Sequence, residues 1–526
     1  MKTLLHNGKI WLGSGYFASA VGIDSETGNI IFVGKDRADD KNIYEDAIDL
    51  KGKLVLPAFT DGHCHLFKGA LVNSEVNLRY SATRKDFENQ ITTYRNNLKK
   101  GDLIIGGYFS EANFTENIII NKAFIDSICS DIPVVLFRTD LHSLVCNTLA
   151  LEKLNINSIV QNFNSDEVIK DAKGNLTGEL KERAMYFVIH ALPQKSMKEK
   201  KSILKAQIER LHSFGITSVT DISWREDLDV YKSLLDEEEL NLKINSVVPI
   251  AEYEKVNEYR DEFSAYKSFI RFGGMKAFYD GSLSSKTALF FDNYVGTDSC
   301  GMRTEEVTSG LLKELSYKID KSSLQLVIHV IGDRAVSEAL DIIEQLKKDI
   351  GIWDRRVRLE HIQHVSEKDL DRFKKLDIIS SVQPAHLFFD AKVATENLIN
   401  PETTHVFKKL VDRGNIICFG TDFPVVPENP FENIYYAMTR NAIGFENGFN
   451  TDMSLDLDTC LKAYTINNAY ASFEENIKGS IREGKQADLI IVDWDIFAIP
   501  SEEIKNAVVE TTFINGKIIY SRRCPK

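Results

Sequence analysis

Continuous apolar runs and polar segments alternate through the middle of the chain. Runs that do not alternate residue by residue are typical of parallel strands buried on both faces. The polar segments between them have helical spacing, so the pattern predicts repeated βα units. The eight predicted strands are "LVLPAFTDGHCH" (54–65), "ITSVTD" (216–221), "KINSVV" (243–248), "IRFGGMKAF" (270–278), "LQLVIHV" (324–330), "RVRLEH" (356–361), "IISSVQ" (378–383) and "IICFGTD" (416–422). Eight such strands with intervening helices predict a (β/α)8 TIM-like barrel over residues 56–479.

A long segment separates the first predicted strand from the amphipathic helix predicted over residues 196–215. It covers residues 67–195, which is far longer than an ordinary βα connection. Its own strand-like and helix-like runs predict an α/β insertion. Because it follows the first strand, we expect it at the carboxyl mouth of the barrel, as a lid over the substrate site. A role in homo-oligomer contacts is the alternative.

Both ends of the chain have the pattern of short strands. "SAVGIDSETGNIIFVG" near the start reads as a hairpin, and "TTFINGKIIYSRR" near the end contains an Asn-Gly turn at residues 515 and 516. Two β-rich ends around a βα middle predict one small β domain built from residues 1–55 and 480–526.

Composition and charge narrow the class of protein. The chain has 526 residues and a formal net charge of −13, which argues against nucleic acid as a partner, since phosphate binding needs a concentrated basic surface. Its seven cysteines are dispersed without a CxxC pair, as in reduced cytosolic proteins. We find neither the apolar segment of a secretory signal nor an apolar run near the ~20 residues of a membrane span. We therefore expect a cytoplasmic protein with no membrane segment.

Two histidines, His63 and His65, end the first predicted strand in "LPAFTDGHCHL". Successive side chains of a strand point to opposite faces, so the two imidazoles share a face and Cys64 points away. Imidazoles at this spacing can bind one divalent metal ion. HxH pairs also arise by chance in surface strands, so this pair alone leaves both interpretations open.

Polar residues at three other strand ends favour the metal site. His329 ends the fifth strand, His361 the sixth, and Asp422 follows the eighth in "CFGTDFPV". In a barrel the carboxyl ends of all strands meet at one mouth. These residues therefore converge with the histidine pair of the first strand.

Lys276 lies in the otherwise apolar fourth strand, where an unpaired ammonium is costly. A neutral lysine amine can react with CO2 to form an anionic carbamate that bridges two metal ions. Reaching solvent, or pairing with a carboxylate such as Asp280, would also account for it. We favour the bridging role because of its position in the barrel.

These residues and the phrases around them resemble the amidohydrolase superfamily. The phrases that carry the resemblance are "VLPAFTDGHCHL", "MKAFYDGSLSSKTA", "VIHVIGDRAV", "RLEHIQHV", "SVQPAH", "FGTDFPV" and "KGSIREGKQADLIIVD". They are similar to the amidohydrolase-3 branch, which includes YtcJ-like hydrolases and N-substituted formamide deformylase. The resemblance covers nearly the whole chain and implies that the strands of both termini form a composite β-sandwich.

The resemblance also implies a metal site and a mechanism. His63, His65 and Asp422 would bind one divalent ion, His329 and His361 a second, and a carboxylated Lys276 would bridge them. Metal-activated hydroxide would attack a carbonyl carbon, with Asp422 as general base and then general acid. Zinc is the expected metal, in one or two ions, although iron and manganese accept the same ligands.

Four further residues are candidates for substrate binding. His142 matches a family phrase in the insertion, and His386 follows the seventh strand in "QPAH". Arg334 could bind an anionic substrate or pair with a helix acid. His364 could contact substrate, support a ligand or simply belong to a helix.

The sequence therefore predicts a metal-dependent hydrolase of a carbon–nitrogen bond other than a peptide bond. The expected substrate is a small N-acyl, N-formyl or cyclic amide. Hydrolysis of an ester, a lactone or an imine by the same site is one alternative, because fold and metal do not select the substrate. A regulatory or binding protein that kept the barrel without turnover is another.

Overall fold

The continuous apolar runs form one sheet of eight parallel strands in chain order. The computed structural model describes residues 1–35, 44–79, 81–96, 98–99, 101–111, 114–138, 143–158, 160–266 and 269–522. The strands are β1 (Phe59–Cys64), β2 (Ile216–Ile222), β3 (Lys243–Pro249), β4 (Ile270–Phe278), β5 (Leu326–Val330), β6 (Arg358–His361), β7 (Ile379–Val382) and β8 (Ile416–Phe419). All neighbouring pairs in this order are parallel.

The sheet closes where the chain after β8 returns to β1. The N–H of Asp422 donates to the carbonyl of His63 at 2.7 Å, and the N–H of His65 donates to the carbonyl of Phe423 at 2.8 Å. This closure confirms the predicted (β/α)8 barrel and brings the carboxyl ends of all eight strands to one mouth.

Helices separate successive barrel strands. They are Arg225–Asp236 after β2, Val256–Ala265 after β3, Glu305–Thr308 and Leu311–Lys321 after β4, Asp333–Ile350 after β5, Leu370–Lys375 after β6, Leu387–Asn397 and Phe407–Asp412 after β7, and Pro430–Thr439, Leu457–Tyr464 and Ile466–Ala471 after β8. Among the helices of the described ranges, none is long and apolar enough to cross a membrane.

The helix that leads into β2 has the predicted form. It spans Met197–Ser213 and buries Leu204, Ile208 and Leu211, which recur at helical spacing. Gly215 follows it with a φ of +77°, a left-handed conformation that glycine adopts without strain and that commonly ends helices.

Strands from both termini build a composite β-sandwich, as predicted. One sheet has the order Asn29–Gly34, Ala20–Asp24, Lys2–His6 and Asp46–Asp49. The other has the order Lys517–Ser521, Val509–Ile514, Leu489–Val492, Leu54–Pro57, Lys9–Gly13 and Tyr16–Ala18. Leu5 and Ile23 of the first sheet share one apolar core with Val55, Ile491 and Phe513 of the second. The two sheets therefore pack face to face.

The predicted Asn-Gly turn joins the last two strands of the sandwich. Asn515 has a φ of +49° and Gly516 a φ of +72°, and Ile514 pairs with Lys517. Two successive positive φ values are those of a tight hairpin turn whose twist matches that of the flanking strands.

Residues 67–207 form a compact unit of their own. Its six-stranded sheet has the order Val168–Lys170, Leu176–Lys181, Ser143–Cys146, Val134–Arg138, Ile104–Phe109 and Val76–Asn77. Its helices are Arg84–Arg95, Lys122–Ile128, Thr148–Lys153 and Glu182–Ala191, and Leu66–Ser74 leads into it. The large α/β insertion after β1 is therefore confirmed, whereas its lid role and the domain bounds stay predictions.

A buried ammonium joins the barrel to the sandwich. Lys243, at the start of β3, donates to the side-chain oxygens of Gln486 at 2.7 Å and Asn515 at 3.0 Å, and to the carboxylate of Asp488. Both members of the Lys243–Asp488 ion pair are almost inaccessible to solvent. Burial lowers the pKa of Lys243, and Asp488 opposes that shift.

We expect Lys243→Met to destabilise the protein by about 3–5 kcal/mol, because it leaves the carboxylate of Asp488 buried without its cation. Urea denaturation measures the change. Lys243→Met combined with Asp488→Asn should recover most of the loss, since Asp488 no longer leaves a buried charge without its partner. Lys408→Met, which breaks an exposed ion pair with Asp412, should change stability by less than about 1 kcal/mol. Equal effects of the two lysine variants would contradict this account.

Candidate functional site

Three predicted ligands meet where β1 and β8 come together. The Nε2 atom of His63 lies 3.4 Å from Oδ1 of Asp422, and that of His65 lies 3.3 Å from the same oxygen. One ligand atom from each of the three residues lies within 4.8 Å of the other two. This spacing suits a single divalent ion with nitrogen and oxygen ligands.

A buried carboxylate holds the two strands together beneath these ligands. Asp61 accepts hydrogen bonds from the N–H groups of His63 and Thr421, both at 3.1 Å, and from the Thr421 hydroxyl. Burial raises the pKa of Asp61 to about 6, although these hydrogen bonds oppose the rise. A Cβ at Gly420 would lie 2.4 Å from the backbone nitrogen of His63, and glycine therefore permits the close approach.

His361 and His329 extend the cluster along β6 and β5. The ring centroid of His361 lies 5.0 Å from that of His63 and 4.5 Å from that of His329. His361 and Ile362 have φ values of +72° and +47°, so the chain turns sharply as β6 ends. Nδ1 of His361 is paired with Oε1 of Gln383 at 2.8 Å, and Nε2 of His329 lies 3.2 Å from the carbonyl of Gly281.

Lys276 lies inside the barrel on β4 with a side chain that is 1% exposed. Its Nζ has no hydrogen-bond partner among the described residues and lies 5.3 Å from the ring centroid of Phe278. Burial lowers the pKa of Lys276 to about 8, against the opposing charges of Glu360 and Asp422. About a tenth of the amine is therefore neutral at pH 7, and neutral amine is the form that reacts with CO2.

Glu360 and Arg358 form a buried ion pair behind His63. Glu360 contacts Nδ1 of His63 through one carboxylate oxygen, and Arg358 Nε donates to the other at 2.9 Å. Arg358 also donates to the carbonyl of Gly62 at 2.6 Å and to the hydroxyl of Ser381 at 3.0 Å. Burial alone would raise the pKa of Glu360, but Arg358 and His63 hold it well below its usual range. The glutamate therefore orients the imidazole so that Nε2 faces Asp422.

The protonation states of His329, His361 and Asp422 fit ligand roles. Burial lowers the pKa of His329 to about 3 and that of His361 well below its usual value, so both imidazoles are neutral. Burial would raise the pKa of Asp422, but hydrogen bonds with His63 and His65 keep it well below the ordinary range. Neutral imidazoles and an ionised carboxylate are the forms that bind metal ions.

The predicted substrate residues lie in different surroundings. His386, in the short helix Pro384–His386, has its ring 6.4 Å from that of His361, so it adjoins the cluster. His364 is fully buried beside Phe290 and Thr404. Arg334 donates to Glu338 at 2.9 Å, one turn along its own helix. His142 lies outside the described residues.

Sequence reasoning missed four residues of the site: Asp61, Trp224, Arg358 and Glu360. Arg358 and Glu360 stand two apart in a strand buried on both faces, and that alternation of charge was the available signal. Trp224 follows β2, is 46% exposed and lies 5.9 Å from the ring of His65, centroid to centroid. An exposed aromatic residue directly after a barrel strand was its signal.

Comparison with protein families identifies the chain. A family model described as "Amidohydrolase family" matches residues 46–520. The chain belongs to the amidohydrolase family.

Three relatives resemble this amidohydrolase over most of its length. Protein LONG AFTER FAR-RED 3 of Arabidopsis thaliana is 29% identical, covering 98% of this chain and 91% of that protein. YtcJ of Bacillus subtilis is 27% identical, covering 90% of each chain. N-substituted formamide deformylase of Arthrobacter pascens is 23% identical, covering 91% of this chain and 90% of that protein. The predicted resemblance to the amidohydrolase-3 branch is confirmed.

A solved structure supports the same assignment. The crystal structure of a metal-dependent hydrolase from Pyrococcus horikoshii superposes with a TM-score of 0.76 at 25% identity, covering 95% of this chain and 99% of that one. The family and these likenesses support a metal-dependent hydrolase acting on carbon–nitrogen bonds other than peptide bonds.

We expect Glu360→Gln to lower metal affinity by about 10–100-fold, because it removes the charge that orients His63. Competition with a chromogenic chelator measures the affinity. Glu475→Gln is the control, since Glu475 pairs with Arg356 away from the cluster. An unchanged affinity in Glu360→Gln would show that His63 does not depend on this contact.

Proposed function

We propose that this amidohydrolase hydrolyses the amide bond of a small N-acyl, N-formyl or cyclic amide. The observation that carries the proposal is the convergence of His63, His65 and Asp422 at the barrel mouth, with the rings of His361 and His329 beside them. The buried amine of Lys276 on β4 adds to it. The named activity of the Arthrobacter pascens relative, removal of a formyl group from an N-substituted formamide, is consistent with this bond type.

The donor set suits zinc. We propose that His63, His65 and Asp422 hold one ion and that His329 and His361 hold a second, since neutral imidazoles with a carboxylate are typical zinc ligands. The ions would supply Lewis acidity, which lowers the pKa of water and polarises a carbonyl group.

The orphaned amine of Lys276 supports a carbamate bridge. Its neutral Nζ attacks CO2, forms a nitrogen–carbon bond and loses one proton to solvent. The resulting anion replaces an ammonium that is costly to bury without a partner. Carbamylated Lys276 would supply anionic oxygen ligands to bridge the metal ions, which would account for a buried lysine on β4.

Asp422 would then perform both proton transfers. Asp422 accepts a proton from the attacking water on its carboxylate and delivers it to the leaving nitrogen. His63 is kept in position by Glu360, so the geometry around Asp422 is fixed before substrate binds. For the remaining candidates, His142, Arg334, His364 and His386, substrate binding stays a prediction.

We further propose a cytoplasmic protein in which residues 67–195 cover the mouth or mediate homo-oligomer contacts. The proposed domain bounds are 1–55 with 480–526 for the sandwich and 56–479 for the barrel. Six free cysteines in the described part of the chain support a reducing compartment.

We expect about two metal equivalents per chain in protein prepared without chelators, and about one or fewer in Lys276→Ala. Elemental analysis measures the content, and a carbamate carbon signal after exposure to 13C-labelled bicarbonate reports Lys276 directly. One equivalent that is insensitive to Lys276→Ala would instead indicate a mononuclear site with a structural lysine.

We expect metal-dependent hydrolysis of at least one member of an amide, formamide and cyclic imide panel. Asp422→Asn should lower kcat/KM by about 100-fold or more, because it removes the proton acceptor. Esters, lactones and amino-substituted heterocycles in the same panel test the alternative carbonyl and imine substrates. Bound metal without turnover on any compound would favour the regulatory alternative.

A further inference from the structure

A cluster of buried polar side chains lies beside the metal site, on the segments that follow β6 and β7. It consists of Gln363, His364, His386, Asp390 and His405, which we call the polar cluster. Gln363, His364 and His405 are at most 5% exposed, and His386 is 7% exposed. Such groups ordinarily have hydrogen-bond partners, so each unpaired atom needs an explanation.

Several of these atoms are unpaired within the described part of the protein. They are Oε1 of Gln363, Nε2 of His364, Oδ2 of Asp390, and both ring nitrogens of His405. Nε2 of His405 comes within 3.3 Å of Oδ2 of Asp390 but is not aligned as a hydrogen bond. Unmade hydrogen bonds in such number, within one contiguous group, are donors and acceptors that ordered water or a bound ligand can complete.

The polar cluster is physically continuous with the metal site. Gln363 lies two residues beyond His361, and its Nε2 is 3.3 Å from Nδ1 of His386, whose ring stacks against that of His361. Nε2 of His386 lies 3.3 Å from the carbonyl of Thr421, so an imidazole protonated at Nε2 satisfies both contacts. His386 therefore connects the metal site with Asp390, which lies four residues further along the chain.

The charges of the polar cluster indicate which kind of substrate group it can bind. Burial lowers the pKa values of His364 and His405 well below their usual range, so both are neutral. Burial raises the pKa of Asp390 to about 6, which leaves it ionised at neutral pH. Arg440 is the nearby cation, but it donates to the backbone carbonyls of Thr404, His405 and Phe449 and forms no ion pair with Asp390 in the described residues.

We infer that the polar cluster is a substrate subsite that binds an ammonium group of the amide substrate, with Asp390 as its anionic partner and Gln363 as a second acceptor. This inference rests on the proposed function and narrows its substrate class to amides that carry a positively charged amine. The Asp390 side chain is 19% exposed, but its unpaired Oδ2 is buried, so the ammonium group has to enter the polar cluster to reach it. An anionic substrate group would be repelled by the same carboxylate.

Matched probes test the subsite by binding, independently of turnover. N-acetyl derivatives of ethylenediamine, putrescine and cadaverine are compared with N-propylacetamide, N-pentylacetamide and N-hexylacetamide, in which a methyl group replaces the ammonium. Dissociation constants are measured by calorimetry on the metal-loaded protein with Asp422 intact, and a probe that mass spectrometry finds hydrolysed is compared with its counterpart by KM. We expect at least one ammonium probe to bind tenfold or more tightly than its methyl counterpart.

Asp390→Asn should abolish that preference, whereas Glu396→Gln should preserve it. Glu396 lies on the same helix, Leu387–Asn397, and is 60% exposed. Because Asp390→Asn removes an unpaired buried charge without changing shape, its Tm should equal or exceed that of the parent protein. A lower Tm in Asp390→Asn would indicate a structural role for Asp390 and would overturn the inference. A preference for the ammonium probes that survives Asp390→Asn would also overturn it.

The two proposals fail in different ways. Absence of any ammonium preference, with neutral amides hydrolysed, would overturn the subsite and leave the proposed function intact. An Asp390-dependent preference without hydrolysis of any amide would support the subsite and overturn the proposed function.

Discussion

At the seam between β1 and β8, two backbone segments approach so closely that neither Gly62 nor Gly420 has room for a Cβ. The approach lets the carbonyl of His63 accept hydrogen bonds from Thr421 and Asp422, and it lets Asp61 accept from Thr421 across the seam. Those bonds close the barrel and at the same time set the distance from Asp422 to the histidines of β1. Barrel closure and ligand geometry are therefore consequences of one contact.

The charges inside the barrel depend on that geometry. Three buried ionised groups beside the metal site contact each other or the histidines: Arg358 pairs with Glu360, Glu360 contacts His63, and Asp422 lies against two imidazoles. A buried pair contributes little net stability but becomes costly if one partner is removed. These buried contacts therefore fix the positions of the metal-site side chains more than they stabilise the fold. A site that must hold its ligands in place requires this.

Two predictions could be made from the sequence: the barrel, which follows from the periodicity of apolar residues, and a shared mouth for the six proposed ligands, which follows from their places at strand ends. Continuous apolar runs distinguish buried parallel strands, and a polar residue at the end of such a run stands out. Glu360 escaped notice because it precedes a histidine that already explained the phrase "RLEH". Asp390 and His405 lie in a helix and a loop without periodic signal, and only the folded chain brings them within 3.3 Å of each other. Long-range contacts of that kind leave no local mark in a single sequence.

Unpaired buried atoms connect the chemistry of the site with its selectivity. Lys276 on β4 has an amine that CO2 could convert into a metal ligand, while Asp390, after β7, has a carboxylate oxygen, Oδ2, without a hydrogen-bond partner among the described residues. Lys276 belongs to the strands that hold the metal site, and Asp390 belongs to the segments that follow those strands. Segments beyond the strand ends can vary without moving the ligands. A change at Asp390 should therefore alter which amide binds and leave the bond-breaking residues in place, so that substrate range and catalytic chemistry are separable in this barrel.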